Sequence, residues 1–248
     1  MSTLIFAHRG ANREAAENTR SAFELAMHYP IDGMETDIQL SRDAVPVLWH
    51  DRFLIKLRQP VKHIDDFDVR ELEAMNFAMH FSPSAKPEGV VRLSDFLSEF
   101  RKRTRLLLEI KNRDWEETKR HEIKVRQTLE MVGEVGDDRI IVSSFNLESL
   151  LYANRIRPNF PLMLNLEDDQ GLLDVRNAMK GHAFLHGVCV HIGALEEAMV
   201  SLVHKAGKII AVYTCNTEDE IRKALALGVD ILISDLPQYA LQLRDQAR

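Results

Sequence analysis

The stretch Gly33-Met34-Glu35-Thr36-Asp37-Ile38-Gln39-Leu40, followed after Ser41-Arg42-Asp43-Ala44 by Val45-Pro46-Val47-Leu48-Trp49-His50-Asp51, decides how the chain is read. It predicts a β-hairpin. Side chains alternate along a strand, so Glu35 and Asp37 share a face. The four residues Ser41–Ala44 have turn composition, and the second arm is rich in β-formers. Pairing Leu40 with Val45 sets His50 opposite Glu35, on the same face. Two carboxylates and an imidazole then converge. An edge hairpin with a solvated charged face has the same pattern, and on this stretch alone both readings stay open.

Working outward, Leu4-Ile5-Phe6-Ala7 is a short apolar run of the kind a strand covered on both faces shows. It ends in His8-Arg9-Gly10, and Asn18 or Thr19 is placed to cap a helix carrying Ala22, Phe23, Ala26 and Met27 on one face. Residues 52 to about 92 are the least regular part, punctuated by Pro60, Pro83, Pro87 and Gly89, with one short helix at Val69–Met75. Functional loops are the usual reason for such length. Ser94 is expected to cap a helix through Phe96, Leu97 and Phe100. Strands then alternate with helices. The strands are expected at Arg105–Ile110, Arg139–Ser143, Pro161–Leu166, Gly187–His191, Lys208–Tyr213 and Asp230–Ile233, and the helices at about 115–132, 147–156, 171–180, 195–206 and 218–227, with a closing helix after Pro237. Thr217-Glu218-Asp219-Glu220 is a capping box, and Gly207 and Gly228 sit where helices stop. Of nine strands, eight connect through helices and should run parallel. The pattern predicts one domain over residues 1–248, a (β/α)8 TIM barrel with an insertion at about 52–92. A doubly wound sheet is the alternative, weakened because no Gly-rich phosphate loop follows the first strand.

Composition narrows the partners. The chain has 248 residues, 28% charged, and a formal net charge of −6. No Lys/Arg block resembles a nucleic-acid footprint. The N-terminal apolar run is too short for a signal peptide, and no window approaches the roughly 18 apolar residues of a membrane span. Cys189 and Cys215 both lie in apolar runs, which favours buried thiols in a reducing compartment. The expected location is the cytoplasm, without stable membrane association.

Chemistry in such a barrel belongs at the C-terminal strand ends. Those ends carry His8 and Arg9, then Glu35 and Asp37 with His50 folded back, then Glu109 and Lys111 on one face. Ser143-Ser144-Phe145, Tyr213-Thr214-Cys215-Asn216 and Ser234-Asp235 follow. Taken singly, the histidines could be structural, Glu109 and Lys111 a salt bridge, and the serine pairs caps. Together they put three carboxylates at one end of a barrel, and buried like charges need a cation. Oxygen donors without cysteine favour Mg²⁺ or Ca²⁺. Arg9 and Lys111 suit phosphate, and two imidazoles suit a general base and a general acid. The set fits metal-assisted attack on a phosphate ester.

His8-Arg9-Gly10, Glu17-Asn18-Thr19, Glu35-Thr36-Asp37, His50-Asp51, Glu109-Ile110-Lys111, Ser143-Ser144-Phe145, Tyr213-Thr214-Cys215-Asn216 and Ser234-Asp235-Leu236-Pro237, in this order, resemble the glycerophosphodiester phosphodiesterase family. The resemblance implies a TIM barrel of the phosphatidylinositol phospholipase C type. It implies cleavage of small glycerophosphodiesters, such as glycerophosphocholine and glycerophosphoethanolamine, to an alcohol and sn-glycerol 3-phosphate with a divalent cation. Carried over by motif, Glu35, Asp37 and Glu109 are metal ligands, His8 the general base, His50 the general acid, and Arg9 and Lys111 phosphate contacts. The family scheme has the glycerol 2-hydroxyl attack phosphorus, and water opens the resulting cyclic phosphate. Two departures fall at the substrate walls: Arg52-Phe53-Leu54 replaces an Arg-Thr-Thr run, and Tyr213 replaces a tryptophan. Trp49, Phe145 and Tyr213 are candidate wall or core residues. A phospholipase D-like enzyme acting on lysophospholipids is the alternative activity, and a non-catalytic glycerophosphate-binding barrel is the third reading.

Overall fold

The computed structural model describes residues 2–82, 84–112, 116–133 and 139–246. The first half of the chain gives β1 (Leu4–His8), α1 (Arg20–Ala26), β2 (Gly33–Leu40), β3 (Pro46–Leu48), α2 (Val69–Ala74), α3 (Leu93–Phe100), β4 (Arg105–Ile110) and α4 (Thr118–Val132). The second half gives β5 (Ile140–Ser144), α5 (Leu147–Ile156), β6 (Leu162–Asn165), α6 (Leu172–Gly181), β7 (Gly187–His191), α7 (Glu197–Lys205), β8 (Ile209–Tyr213), α8 (Glu218–Leu227), β9 (Ile231–Ser234) and α9 (Pro237–Gln246).

Eight strands run parallel around a ring. The order β1-β9-β8-β7-β6-β5-β4-β2 closes through the pairing of β1 with β2, and β3 lies antiparallel outside it on β2. This is a (β/α)8 TIM barrel. Two-residue alternation explains its interior: Phe6, Leu107, Ile141, Met163 and Ala211 fill the lumen from five different strands. Their neighbours Ile5, Leu106, Leu108, Val142 and Leu162 face the helices. Two positions further along the lumen-facing rows come His8, Glu109, Ser143, Asn165 and Tyr213. A polar layer therefore caps the apolar one at the C-terminal end.

The helix signals act as expected at several points. The Thr19 hydroxyl accepts from Ala22 N–H at the start of α1. Thr217 and Glu220 form the capping box of α8, and Gly228 closes it with φ 69°. Ser94 does not cap α3. The cap position is Arg92, two residues earlier, and the helix starts at the fully buried Leu93. The expected helix start at 115, and Pro83, lie outside the described residues.

The hairpin register differs from expectation. Ile38 pairs with Leu48, Gln39 with Val47 and Leu40 with Pro46, one residue away from a Leu40–Val45 pairing. The cause is the turn. Ala44 adopts φ 60°, its N–H donates to Ser41 O, and Ser41 N–H donates to Val45 O. The loop is thus three residues closing in a left-handed position, where the composition suggests four. A one-residue slip reverses faces, so strand alternation alone would carry His50 away from Glu35. Instead the strand stops at Leu48. The Gln39 side-chain amide donates to the carbonyls of Trp49, His50 and Asp51 at 2.8, 3.2 and 3.0 Å and curls the chain back.

Beyond the hairpin, Trp49, Leu54, Leu57, Ile64, Val69, Leu72 and Phe77 build an apolar cluster of their own. Trp49 is a core residue of that cluster, edge-on to Phe77 at 5.2 Å, and does not line the barrel mouth. Among the described residues, no helix is long and apolar enough to cross a membrane.

Candidate active site

The polar layer gathers the expected residues at one mouth. His8, Arg9, Glu35, His50, Glu109 and Lys111 line a single inner cavity of about 150 Å³. Asp37 lies behind them, 1% exposed, and its carboxylate accepts from Asn18 Nδ2 at 2.9 Å. An outer recess of about 560 Å³ continues past His50, Lys111, Phe145 and Tyr213 to Glu167, Asp168 and His191.

Carboxylate oxygens of Glu35, Asp37 and Glu109 all fall within 4.8 Å of one another. Glu35 Oε2 and Asp37 Oδ1 are buried and accept no hydrogen bond. Burial, with the Asp37 charge beside it, lifts the Glu35 carboxyl well above the usual range. At Asp37 burial also pushes upward, but Arg9 and Lys111 outweigh it and hold that carboxyl well below its usual value. Buried, unsatisfied and mutually repelling oxygens of this kind fit a cation. Arg9 Nε stands 3.0 Å from Asp37, and Lys111 Nζ stands 2.6 Å from Glu109 and 3.5 Å from Asp37. Both bases thus touch the acidic triad. A second group, Glu17, His50 and Asp51, also clusters. There Lys56 Nζ bridges the two carboxylates at 2.8 and 2.9 Å and supplies the positive charge itself.

Each histidine is oriented by a carboxylate. His8 Nδ1 is 2.6 Å from Asp235 Oδ1. Burial would raise Asp235, but bonds from His8 and Asn12 win and keep it ionised. An ionised carboxylate only accepts, so Nδ1 carries the proton and the lone pair lies on Nε2, 3.8 Å from Glu35. Burial first, then the Arg9 charge, lower the His8 pKa and favour the neutral ring. His50 Nδ1 similarly meets Asp51 Oδ1 at 2.9 Å. Asp51 is held at about 2, its bonds to His50 and Lys56 overcoming burial.

Several participants stand in or beside the sequence motifs without a role of their own there. Asp235, a candidate cap by its position after Ser234, bonds His8, Asn12, Arg13 and Asn216. Glu17, Asp51 and Lys56 form the rim network around Arg9 and His50. Phe145 and Tyr213 do line the cavities, edge to face at 5.9 Å.

The sequence pattern of the "Glycerophosphoryl diester phosphodiesterase family" matches residues 8–239. A glycerophosphodiester phosphodiesterase of Bacillus altitudinis is 29% identical over 99% of this chain and 100% of its own. One from Caldanaerobacter subterraneus subsp. tengcongensis is 27% identical over 98% of each. Among solved structures, an Oleispira antarctica phosphodiesterase in complex with the product sn-glycerol-3-phosphate superposes with a TM-score of 0.83. It is 24% identical, over 98% of this chain and 97% of that one, a likeness of fold.

Proposed function

The chain belongs to the glycerophosphoryl diester phosphodiesterase family, and from that premise we propose how its barrel mouth carries out the hydrolysis. The enzyme is a phosphoric diester hydrolase that converts glycerophosphodiesters to an alcohol and sn-glycerol 3-phosphate. The observation that carries the assignment of roles is the meeting of three carboxylates, two carboxylate-backed imidazoles, one arginine and one lysine at one cavity.

In this reading Glu35, Asp37 and Glu109 hold a divalent cation. An all-oxygen set suits Mg²⁺ or Ca²⁺. When bound, the cation supplies positive charge that polarises the phosphoryl group. Arg9 and Lys111, already beside the acids, hold the remaining phosphate charge. His8 Nε2 takes the proton of the attacking glycerol 2-hydroxyl. The bond from phosphorus to the departing oxygen breaks, and His50 gives that oxygen a proton. Water then opens the cyclic phosphate with the two rings exchanging roles. Asp235 and Asp51 accept from Nδ1 of each ring, which leaves Nε2 as the atom that takes the proton at His8 and gives it at His50. The two cysteines, both buried and free, support a reducing, cytoplasmic setting. Residues 52–92 act as an insertion on one barrel domain, with Lys56 tying it to the mouth.

Phosphorus NMR of glycerophosphocholine incubated with the protein and Mg²⁺ or Ca²⁺ checks the reaction. Glycerol 3-phosphate should form together with free choline. Phosphocholine and glycerol, or an unchanged diester, would contradict the reading.

A further inference from the structure

Of the six large hydrophobic side chains exposed among the described residues, Ile156, Leu173 and Leu236 stand on separate elements, while Ile55, Val61 and Phe81 share the insertion. Ile55 and Val61 are 61% and 76% exposed and sit on one short loop. Leu54 N–H donates to Lys62 O at 2.8 Å and Gln59 N–H to Leu54 O at 3.0 Å, which pins the loop at its neck. Leu54 and Leu57 belong to the insertion's apolar cluster, and Ile55, Arg58, Val61 and Lys62 are left exposed to water. Single exposed apolar residues are ordinary on a protein surface. Here they are interspersed with charge of one sign. Residues 52–64 hold Arg52, Lys56, Arg58 and Lys62 and no Asp or Glu, in a chain of net charge −6. Lys56 is neutralised by Glu17 and Asp51. Arg52 lays its guanidinium over the Phe53 ring at 5.1 Å, and that ring lies 4.7 Å from His63. Arg58 and Lys62 have no carboxylate partner among the described residues.

We propose that this loop docks the enzyme reversibly on an anionic lipid surface, with the barrel mouth turned toward the leaflet. Basic residues around projecting aliphatic side chains combine attraction to acidic headgroups with shallow insertion between them. Charge complementarity selects the partner. The rest of the chain is acidic and is repelled by such a surface, so the loop sets the orientation. The mouth turns with it because Lys56, next to Ile55, reaches Glu17 and Asp51, and Asp51 in turn holds His50. Each basic residue near an anionic leaflet strengthens binding about fivefold. Arg52, Arg58 and Lys62 together therefore give a weak, salt-sensitive, peripheral attachment. It concentrates the enzyme beside the leaflet and leaves the chemistry at the mouth unchanged.

The test sediments the full chain with vesicles of phosphatidylcholine alone or of phosphatidylcholine and phosphatidylglycerol in equal parts. At about 0.1 M salt, where the Debye length is about 10 Å, the protein should pellet with the mixed vesicles and stay in solution with the neutral ones. At about 1 M salt, where that length falls to about 3 Å, the binding should vanish. Arg58→Gln combined with Lys62→Gln should weaken partitioning about 25-fold. Ile55→Ser combined with Val61→Ser should weaken it about tenfold. Both double variants should hydrolyse dissolved glycerophosphocholine at the wild-type rate, which also reports that they fold. No partitioning onto the mixed vesicles, equal partitioning onto both kinds, or unchanged binding by the Arg58 and Lys62 variant overturns the proposal. So does self-association without lipid that the Ile55 and Val61 variant abolishes, because the loop then serves a second copy of the chain. If hydrolysis of the dissolved diester falls together with vesicle binding, the loop shapes the mouth and docking is overturned. Selective binding to the mixed vesicles by a chain that releases no glycerol 3-phosphate upholds the docking and removes the hydrolase reading alone.

Discussion

Replacing His8 by alanine is expected to lower kcat for glycerol 3-phosphate release by about 10²- to 10⁴-fold, the range for losing a positioned general base. The fold should survive, because Asp235 keeps its bonds from Asn12, Arg13 and Asn216 when the imidazole is gone. The companion variant His50→Ala separates base from acid. With a choline leaving group, its loss should be comparable. With glycerophospho-p-nitrophenol, whose leaving group needs no proton, His50→Ala should be nearly restored while His8→Ala stays slow. Rates of both variants on both substrates check the assignment. Restoration of His8→Ala by the phenol ester would interchange the two roles.

Glu35→Gln is the second large effect. It keeps the shape of the side chain and removes one of the three carboxyl groups whose oxygens lie within 4.8 Å of one another. Glu35 Oε2 makes no hydrogen bond that the amide would need to replace, so the substitution acts on cation affinity far more than on folding. Substitution of residues that only orient ligands already costs about 10- to 100-fold in metal affinity, and a ligand itself should cost about 100-fold or more. The expected result is a half-saturating Mg²⁺ or Ca²⁺ concentration raised by that factor, with activity partly recovered at high metal. An unchanged metal requirement would take Glu35 out of the ligand set.

Much of this arrangement is legible in the residues themselves. The alternation of apolar strands with helices is periodic, and lumen-facing residues follow two-residue spacing, so the pattern places His8, Glu35, Asp37, Glu109 and Lys111 at one end of a ring. The hairpin register is not legible. It turns on Ala44 at φ 60°, a position glycine or asparagine usually marks and alanine does not. His50 nonetheless reaches the site, brought there by the Gln39 amide and not by pairing. Asp235 is hidden for another reason. Its contact with His8 spans 227 positions and exists only because β9 closes on β1.

The cation site formed by Glu35, Asp37 and Glu109 is the centre on which the other roles depend. The most direct measurement strips the wild-type protein with a chelator and titrates Mg²⁺ or Ca²⁺ back while glycerol 3-phosphate release is followed. The predicted result is no release after stripping and saturable recovery with metal, shifted to higher concentration in Glu35→Gln. Undiminished release from the stripped protein would contradict it.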